Sequence, residues 1–113
     1  SECKVLSHPA SVATIPTGGS KEDVVPMAMG AAWKLERIVG NVTRVLAIEL
    51  MCAAQGVELR GPLRPAARVG QAIAAIRRRV PALERDRPLS GDIEALAAAI
   101  GDGTFDAFVP AAR

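Results

Sequence analysis

The sequence predicts an all-α fold, in which one long helix packs with two or three shorter helices in an oligomeric bundle, preceded by an extended N-terminal arm. Half of the 113 residues are hydrophobic but only 3% are aromatic, so the apolar residues are mainly Ala, Val, Leu and Ile, a mixture typical of closely packed helices. Apolar residues also recur at helical spacing in one long segment. The length suits a single domain with one core.

Residues 1–20 have no helical periodicity, because Pro9, Pro16 and Gly18-Gly19 interrupt them. They are predicted to form an extended arm or loop. A loop of this length is unusual in a compact domain unless it is functional or packs on a neighbouring chain. The remaining residues, 21–113, are predicted to form one helical domain.

The long helix is predicted from Val24 to Gln55, with Asp23 as its N-cap, Pro26 in its first turn and Gly56 just after its end. Such a helix would be ~48 Å long at ~1.5 Å per residue. A compact chain of this size is only ~26–28 Å across. The helix is therefore expected to extend into an assembly of several chains.

One charged residue interrupts the apolar face predicted for this helix. Glu49 falls among the members of that face, which are Leu35, Ile38, Val39, Val42, Val45, Leu46 and Leu50. A buried carboxylate is unfavourable unless it is paired or protonated. Glu49 is therefore predicted to be a structural buried charge, paired with Arg60, Arg87 or an arginine of a second chain. A functional carboxylate is the alternative.

Shorter helices are predicted after the long one. The second runs from Pro65 or Ala66 to Arg79, a helical turn covers residues 81–85, and Ser90 caps a third helix from Gly91 to Ile100. The inward positions expected in these helices are Val69, Ile73, Ile76, Ile93, Leu96 and Ile100. In the tail, Phe105 and Phe108 are expected to pack on the bundle, and the basic run 77–79 is expected to be an exposed helix end.

Composition excludes several classes of function. The formal net charge is only +2, which does not favour a nucleic-acid or membrane partner, and no uninterrupted apolar run reaches the roughly 18 residues of a membrane span. Cys3 and Cys52 lack metal-ligand spacing, so no metal site is predicted. Both are expected to be free thiols in a cytoplasmic protein. A start at Ser1 rather than Met fits an excised fragment as well as a complete protein.

Several short motifs occur in a specific order along nearly the whole chain. They are 4–12 (KVLSHPASV), 15–17 (IPT), 22–23 (ED), 47–50 (AIEL), 54–56 (AQG), Arg60, 62–63 (PL), 76–77 (IR), 80–81 (VP) and 86–93 (DRPLSGDI). In this order they resemble the last helical region of the histidine ammonia-lyases. The resemblance identifies residues 21–113 as a C-terminal helical domain of an ammonia-lyase-like protein.

The resemblance implies a homotetrameric, largely helical enzyme several times longer than this chain. Such an enzyme acts in histidine catabolism by eliminating ammonia from L-histidine to give trans-urocanate. Its electrophile is a methylidene-imidazolone ring made from an internal Ala-Ser-Gly, and a Tyr serves as its base. This chain contains neither Ala-Ser-Gly nor Tyr. The missing N-terminal part would supply both, and the chain alone is expected to be inactive.

The active-site turn differs from the family pattern Gln-Glu-Asp-His-Val-Ser-Met. Glu22 matches the glutamate that contacts substrate, whereas Lys21, Val24 and Pro26 replace Gln, His and Ser. A lysine at the substrate-binding position of Gln adds charge, accepts no hydrogen bond and would compete with substrate for Glu22. These changes fit an altered substrate or a copy without catalysis. A favourable charge near a helix N-terminus is the alternative role of Glu22.

Two functional hypotheses remain open at this stage. In the first, the chain is the C-terminal part of a lyase that acts on a small amino acid, with other copies of the chain or the rest of the lyase as its partners. In the second, it is a non-catalytic helical assembly or companion module derived from a lyase. The long apolar face motivates the second hypothesis.

Overall fold

The structure is a computed structural model that describes residues 1–109. Within these residues four α-helices are followed by a 3₁₀ turn: α1 (Glu2–Leu6), α2 (Ala28–Glu58), α3 (Ala67–Arg77), α4 (Ser90–Gly101) and the turn Asp106–Phe108. No strand occurs within residues 1–109, where the only β-type pairing is the single bridge between Thr17 and Glu22. The all-α prediction, with one long helix and shorter helices packed on it, is confirmed.

The chain divides into two compact units within α2. The first unit is Ser1–Val42 and the second begins at Thr43. The predicted end of the arm, at residue 20, lies inside the first unit. That unit holds α1, the irregular segment 7–27 and the first half of α2.

The second unit contains the hydrophobic core. Leu96 of α4 is fully buried, as is Ala47 of α2, and Val80 after α3 is 1% exposed. Partly buried residues pack around this cluster, including Leu50 and Met51 of α2. Small alanines on α2 and α4 allow the helices to approach closely, which explains how a core so poor in aromatic residues fills its volume. The predicted inward positions 73, 76, 93, 96 and 100 are confirmed, whereas Val69 is 45% exposed.

An arginine of α3 links α2 to the loop that follows α3. Arg77 donates hydrogen bonds to both carboxylate oxygens of Glu58, at 2.9 and 2.7 Å, and to the Gln55 side-chain carbonyl at 3.4 Å. The same Gln55 oxygen accepts the backbone N–H of Leu83 at 2.9 Å. The prediction of an exposed basic helix end is therefore wrong for Arg77, whose side chain is only 18% exposed.

Helix α2 begins and ends later than predicted. It starts at Ala28, because the turn around Glu22 holds residues up to Val25 in non-helical conformation, so Asp23 and Pro26 do not form its first turn. It continues to Glu58 through Gly56, which adopts a helical rather than a left-handed conformation. The predicted C-terminal signal at Gly56 is therefore wrong.

The outer surface of α2 is apolar and exposed. Leu35, Val39 and Val45 are each more than half exposed, and Trp33 is 63% exposed. By length and composition α2 contains an 18-residue window of mean hydropathy 1.3, apolar enough to cross a membrane, and 11% of that window is buried. This window was not predicted from the sequence. A core helix of a soluble protein meets the same criterion, and it does not by itself indicate a membrane span.

The remaining elements differ from prediction in detail. Residues 2–6 of the predicted arm form α1, whose Leu6 is buried. Contacts of Glu2 with Arg37 and Asn41 of α2 stabilise this short helix, and so few residues show no period in the sequence. The predicted helical turn at residues 81–85 is absent from the described structure. Helix α4 includes Ser90 and ends at Gly101, close to the predicted bounds, and Phe105 packs against the core as expected.

Candidate active-site turn

Residues 17–22 form a tight loop closed by a pair of backbone hydrogen bonds. The N–H of Thr17 donates to the carbonyl of Glu22 at 2.9 Å, and the N–H of Glu22 donates to the carbonyl of Thr17 at 3.2 Å. Gly18, Gly19 and Ser20 in between all have positive φ, at 59°, 66° and 65°. Glycine adopts this region without steric conflict, which explains why the chain turns here. The two glycines are thus a turn signal that sets the position of Glu22.

The side chain of Glu22 is held from within the same loop. The hydroxyl of Thr17 donates a hydrogen bond to Oε2 of Glu22 at 2.9 Å. Glu22 is exposed, and its Oε1 has no hydrogen-bond partner within residues 1–109. One carboxylate oxygen is therefore held while the other faces solvent. The predicted site residue lies in an ordered turn, although nothing within the chain shows a substrate beside it.

Lys21 lies next to Glu22 in sequence but does not pair with it. Its side chain is exposed and forms no ion pair in the described part of the chain. The Lys21 ammonium was expected to compete with substrate for the Glu22 carboxylate, but the two side chains form no ion pair within residues 1–109. The structure leaves one cation and one half-satisfied carboxylate exposed on the same loop.

The segment between this loop and α2 is fixed by Thr14. Its hydroxyl donates to the carbonyl of Asp23 at 2.6 Å and accepts the N–H of Val25 at 3.4 Å. The loop is therefore held on both sides of Glu22, by Thr17 and by Thr14. Neither threonine was predicted from the sequence, because contacts across a loop depend on its geometry and not on residue type and spacing alone.

Polar contacts also hold α1 against α2 within the first unit. The carboxylate of Glu2 accepts hydrogen bonds from Asn41, at 3.0 Å, and from Arg37, and these bonds lower the pKa of Glu2 below its usual value. Lys34 donates to the carbonyl of His8. These contacts give the predicted arm a defined path along α2. His8 itself is exposed.

Glu49, which the sequence predicts to be a buried charge, is not covered by the described residues of this chain. Glu49 is exposed in this chain, and its neighbours Val45 and Leu46 are 57% and 44% exposed. The physical reason is that α3 and α4 pack on a different face of α2. At ~100° per residue, the buried Ala47 lies ~160° around the helix from Glu49. Burial of Glu49 against another chain remains a prediction. Of its proposed partners, Arg87 instead pairs with Asp92 at 2.6 Å.

The second unit also has an apolar cavity of about 300 Å³ between the end of α2 and the loop after α3. Met51, Leu59 and Leu83 contribute to its wall, and its charged lining residues Arg77 and Arg87 are already paired with carboxylates. Both cysteines are free, as predicted, and Cys52 lines this cavity. No cluster of His, Cys, Asp or Glu suited to a metal ion occurs within residues 1–109.

Comparison with known proteins gives a consistent family. Residues 1–78 match the family model described as aromatic amino acid lyase. A histidine ammonia-lyase from Anaeromyxobacter sp. (strain K) is 53% identical over 106 residues, and one from Sorangium cellulosum is 54% identical over 109 residues. These alignments cover 94% and 96% of this chain but only 21% of each relative. The chain therefore spans about a fifth of the length of these relatives.

Solved structures agree in sequence and in fold. The crystal structure of histidine ammonia-lyase from Trypanosoma cruzi superposes with a TM-score of 0.84 at 36% identity, covering 96% of this chain and 22% of that one. Tyrosine aminomutase from Streptomyces globisporus gives a TM-score of 0.79 at 35% identity, over 88% of this chain and 19% of that one. The chain therefore belongs to the aromatic amino acid lyase family, as a segment that corresponds to part of a larger enzyme.

Proposed function

We propose that this chain is the C-terminal part of a histidine ammonia-lyase-like enzyme, which converts L-histidine or a related amino acid into an α,β-unsaturated acid and ammonia. The observation that carries this proposal is the similarity to histidine ammonia-lyases through 94–98% of the chain at about half identity. Similarity that extends from end to end supports a shared role in a common architecture rather than one shared motif. The proposed setting is histidine catabolism in the cytoplasm.

In this proposal Glu22 contributes to a composite active site. Its ionised carboxylate would contact a cationic group of the amino-acid substrate, either the ammonium or a protonated imidazole. The fixed Oε2 and the free Oε1 support this role, because a carboxylate already oriented before binding loses less conformational freedom when the substrate arrives. Lys21 would lie beside the bound substrate and disfavour a second cation there.

The electrophile and the base would come from the remainder of the polypeptide. The methylidene-imidazolone group would supply an electrophilic carbon that activates the substrate for loss of ammonia. This chain contains no Ala-Ser-Gly from which the group forms and no Tyr, so its own residues do not fit that role. The contribution of this chain is therefore to bind and orient substrate through Glu22 and to assemble the enzyme through its helices. The 113-residue chain alone is expected to form no urocanate.

A chimera tests this proposal. In the Anaeromyxobacter sp. (strain K) enzyme, the segment that matches this chain is replaced by residues 1–113, and urocanate formation is followed by its ultraviolet absorbance. We expect the chimera to be active, and Glu22→Gln to lower kcat/KM by roughly tenfold or more, as for loss of a charged hydrogen bond. Glu36→Gln, at an exposed carboxylate of α2, serves as the matched control and is expected to change kcat/KM less than twofold.

A further variant of the chimera tests the three positions at which the turn differs from the family pattern. Lys21→Gln, Val24→His and Pro26→Ser together restore the family pattern at the turn. If the turn alone limits turnover of histidine, this triple variant is expected to exceed the parent chimera on L-histidine. L-Tyrosine and L-phenylalanine are assayed in parallel to detect a changed substrate. A folded chimera that is inactive on all three amino acids, with and without the triple change, would contradict the proposal.

A second candidate function is a non-catalytic assembly or companion module. The observation that favours it is the exposed apolar surface of α2, where Leu35, Val39 and Val45 are 60%, 56% and 57% exposed. Single exposed apolar side chains are ordinary, but a contiguous row along one helix is typical of an interaction surface. Light scattering tests this role. A strictly monomeric mass at all concentrations, together with no binding to an intact lyase, would contradict it.

A further inference from the structure

We infer that Thr17 is a positioning residue for Glu22, holding one oxygen of its carboxylate so that the other is presented to the substrate. This inference rests on the proposed function of Glu22. The sequence does not distinguish Thr17 from a threonine with a purely structural role. Its hydrogen bonds to Glu22 are what indicate a positioning role. Three hydrogen bonds join Thr17 to Glu22, two through the backbone and one through the side chains.

The two backbone hydrogen bonds between Thr17 and Glu22 restrict the position of the Glu22 Cα, from which the side chain extends. Reciprocal N–H to carbonyl bonds of 2.9 and 3.2 Å place the two residues opposite each other, with their Cα atoms fixed by the short loop between them. That loop has only four residues, three of which have positive φ. An insertion or a bulky residue there would move Glu22 relative to Thr17. The loop therefore fixes the position of the Glu22 Cα independently of the side-chain hydrogen bond.

The hydroxyl then selects one orientation of the carboxylate. A Glu side chain has three rotatable bonds, and an exposed one samples many rotamers. Donation from Thr17 Oγ1 to Oε2 at 2.9 Å favours the rotamers in which Oε1 points away from the loop. The O–H group of Thr17 donates this hydrogen bond, and the methyl group of a valine in its place could not. Thr17 is also half-buried, whereas Glu22 is exposed, so the Thr17 side chain is more restricted than the Glu22 carboxylate that it contacts.

Thr14 provides a comparison within the same segment. Its hydroxyl contacts only backbone groups, the carbonyl of Asp23 and the N–H of Val25. Loss of that hydroxyl loosens the chain after Glu22 without removing any bond to the carboxylate. Thr14→Val and Thr17→Val are therefore matched changes, equal in volume and chemistry, of which only one removes a contact to Glu22. A general structural role would give them similar effects.

The first test measures side-chain order in the 113-residue chain by NMR. Three-bond couplings of Glu22 report its χ1 distribution. We expect one dominant χ1 rotamer in the parent and in Thr17→Ser, and averaged couplings in Thr17→Val, while Thr14→Val keeps the parent couplings. Equal averaging in the parent and in Thr17→Val would overturn the inference. This measurement does not depend on catalysis, so it separates failure of the positioning role from failure of the proposed function.

The second test measures coupling to Glu22 in the active chimera. Thr17→Val is expected to lower kcat/KM roughly tenfold, as for a hydrogen bond to a charged group, and Thr17→Ser to recover to within about threefold of the parent. In a Glu22→Gln background, Thr17→Val should add less than a further twofold loss. Additive losses, or a serine variant as impaired as the valine variant, would overturn the inference. If Glu22→Gln itself has no effect, the proposed function fails while the NMR result still decides the positioning role.

Discussion

At the scale of single residues, the loop 17–22 depends on backbone conformations that few side chains adopt. Gly19 has φ +66° and open space around the position of an added Cβ, so a substitution there meets no neighbour and its effect comes from the backbone alone. The left-handed region disfavours L-residues by about 1 kcal/mol or more. Ser20 already occupies that region, so the backbone hydrogen bonds between Thr17 and Glu22 form with one residue other than glycine in a left-handed conformation.

Gly19→Ala is therefore expected to open the loop without unfolding the chain. The N–H of Glu22, which donates to Thr17, should exchange with solvent roughly fivefold faster, corresponding to about 1 kcal/mol. Gly91→Ala is the control, because Gly91 also has open space but lies in α4 without a positive φ. It should leave this exchange rate unchanged and stabilise α4 slightly. Equal exchange rates in all three proteins would contradict the expectation.

Arg77 forms a group of polar contacts in the second unit that join the end of α2 to the segment after α3. Arg77→Ala removes the bonds to Glu58, Gln55 and the carbonyl of Pro81, and also the packing of the arginine stem. We expect a loss of about 1–2 kcal/mol in the free energy of unfolding by urea. Arg78→Ala, at the exposed neighbouring position, should cost less than about 0.5 kcal/mol. A similar loss in both variants would exclude a special role for Arg77.

The same ion pair predicts how stability depends on pH. The hydrogen bond from Arg77 holds the pKa of Glu58 below its usual value, and Arg44 does the same for Glu94. Each folded-state pKa lies below the unfolded value, so the stabilisation is complete above the unfolded pKa and is lost as the pH falls through the folded pKa. Unfolding by urea between pH 7 and pH 3 should show this loss, with a smaller loss in Arg77→Met. Parallel profiles for the two proteins would contradict it.

At the scale of elements, α2 shows how tertiary packing overrides a local signal. Gly56 is a common residue after a helix, yet here the helix continues to Glu58 because Arg77 and the loop at Leu83 contact residues 55 and 58. The chain retains helical structure at a residue that disfavours it. Gly56→Ala is therefore expected to stabilise the isolated chain by about 0.5–1 kcal/mol, measured by thermal or urea unfolding. Destabilisation would indicate that an added methyl group disturbs the neighbouring cavity.

The sequence predicted elements well where periodicity was long and poorly where contacts decided the outcome. Helices α3 and α4 were found within two residues or so, because Ile73, Ile76, Ile93 and Leu96 repeat at helical spacing. Helix α1 was missed, since five residues are too few to show a period. The start of α2 was misplaced because Asp23 is a good N-cap by composition, whereas its carbonyl is in fact engaged by Thr14.

The candidate site was predictable only in part. Glu22 was proposed through its family resemblance, and Gly18-Gly19 was recognised only as an interruption of helical periodicity, not as the turn that the structure has. The pairing with Thr17 was not, because a contact across a loop depends on geometry that single-residue preferences do not contain. Glu49 was expected to be buried because its face is apolar, but apolarity shows only that a face will be covered. It does not show whether the same chain covers it.

At the scale of the whole molecule, α2 leads to a prediction about association. The chain is expected to form oligomers in solution through the face that includes Val45 and Leu46. The double variant Val45→Lys and Leu46→Lys should shift the mass measured by light scattering toward the monomer, with helical content retained. The double variant Val12→Lys and Leu63→Lys adds the same charge at exposed apolar positions outside α2 and should leave the mass unchanged. A monomeric parent chain would contradict the prediction.

The exposed face of α2 also bears on the fate of the chain inside a cell. An apolar helical surface without a covering partner has the features by which chaperones and proteases select unassembled subunits for removal. A copy produced in excess of its partner should therefore be degraded more quickly than one that is covered. The cellular amount of this chain would then be determined by the supply of whatever covers α2, more than by the rate at which the chain itself is made.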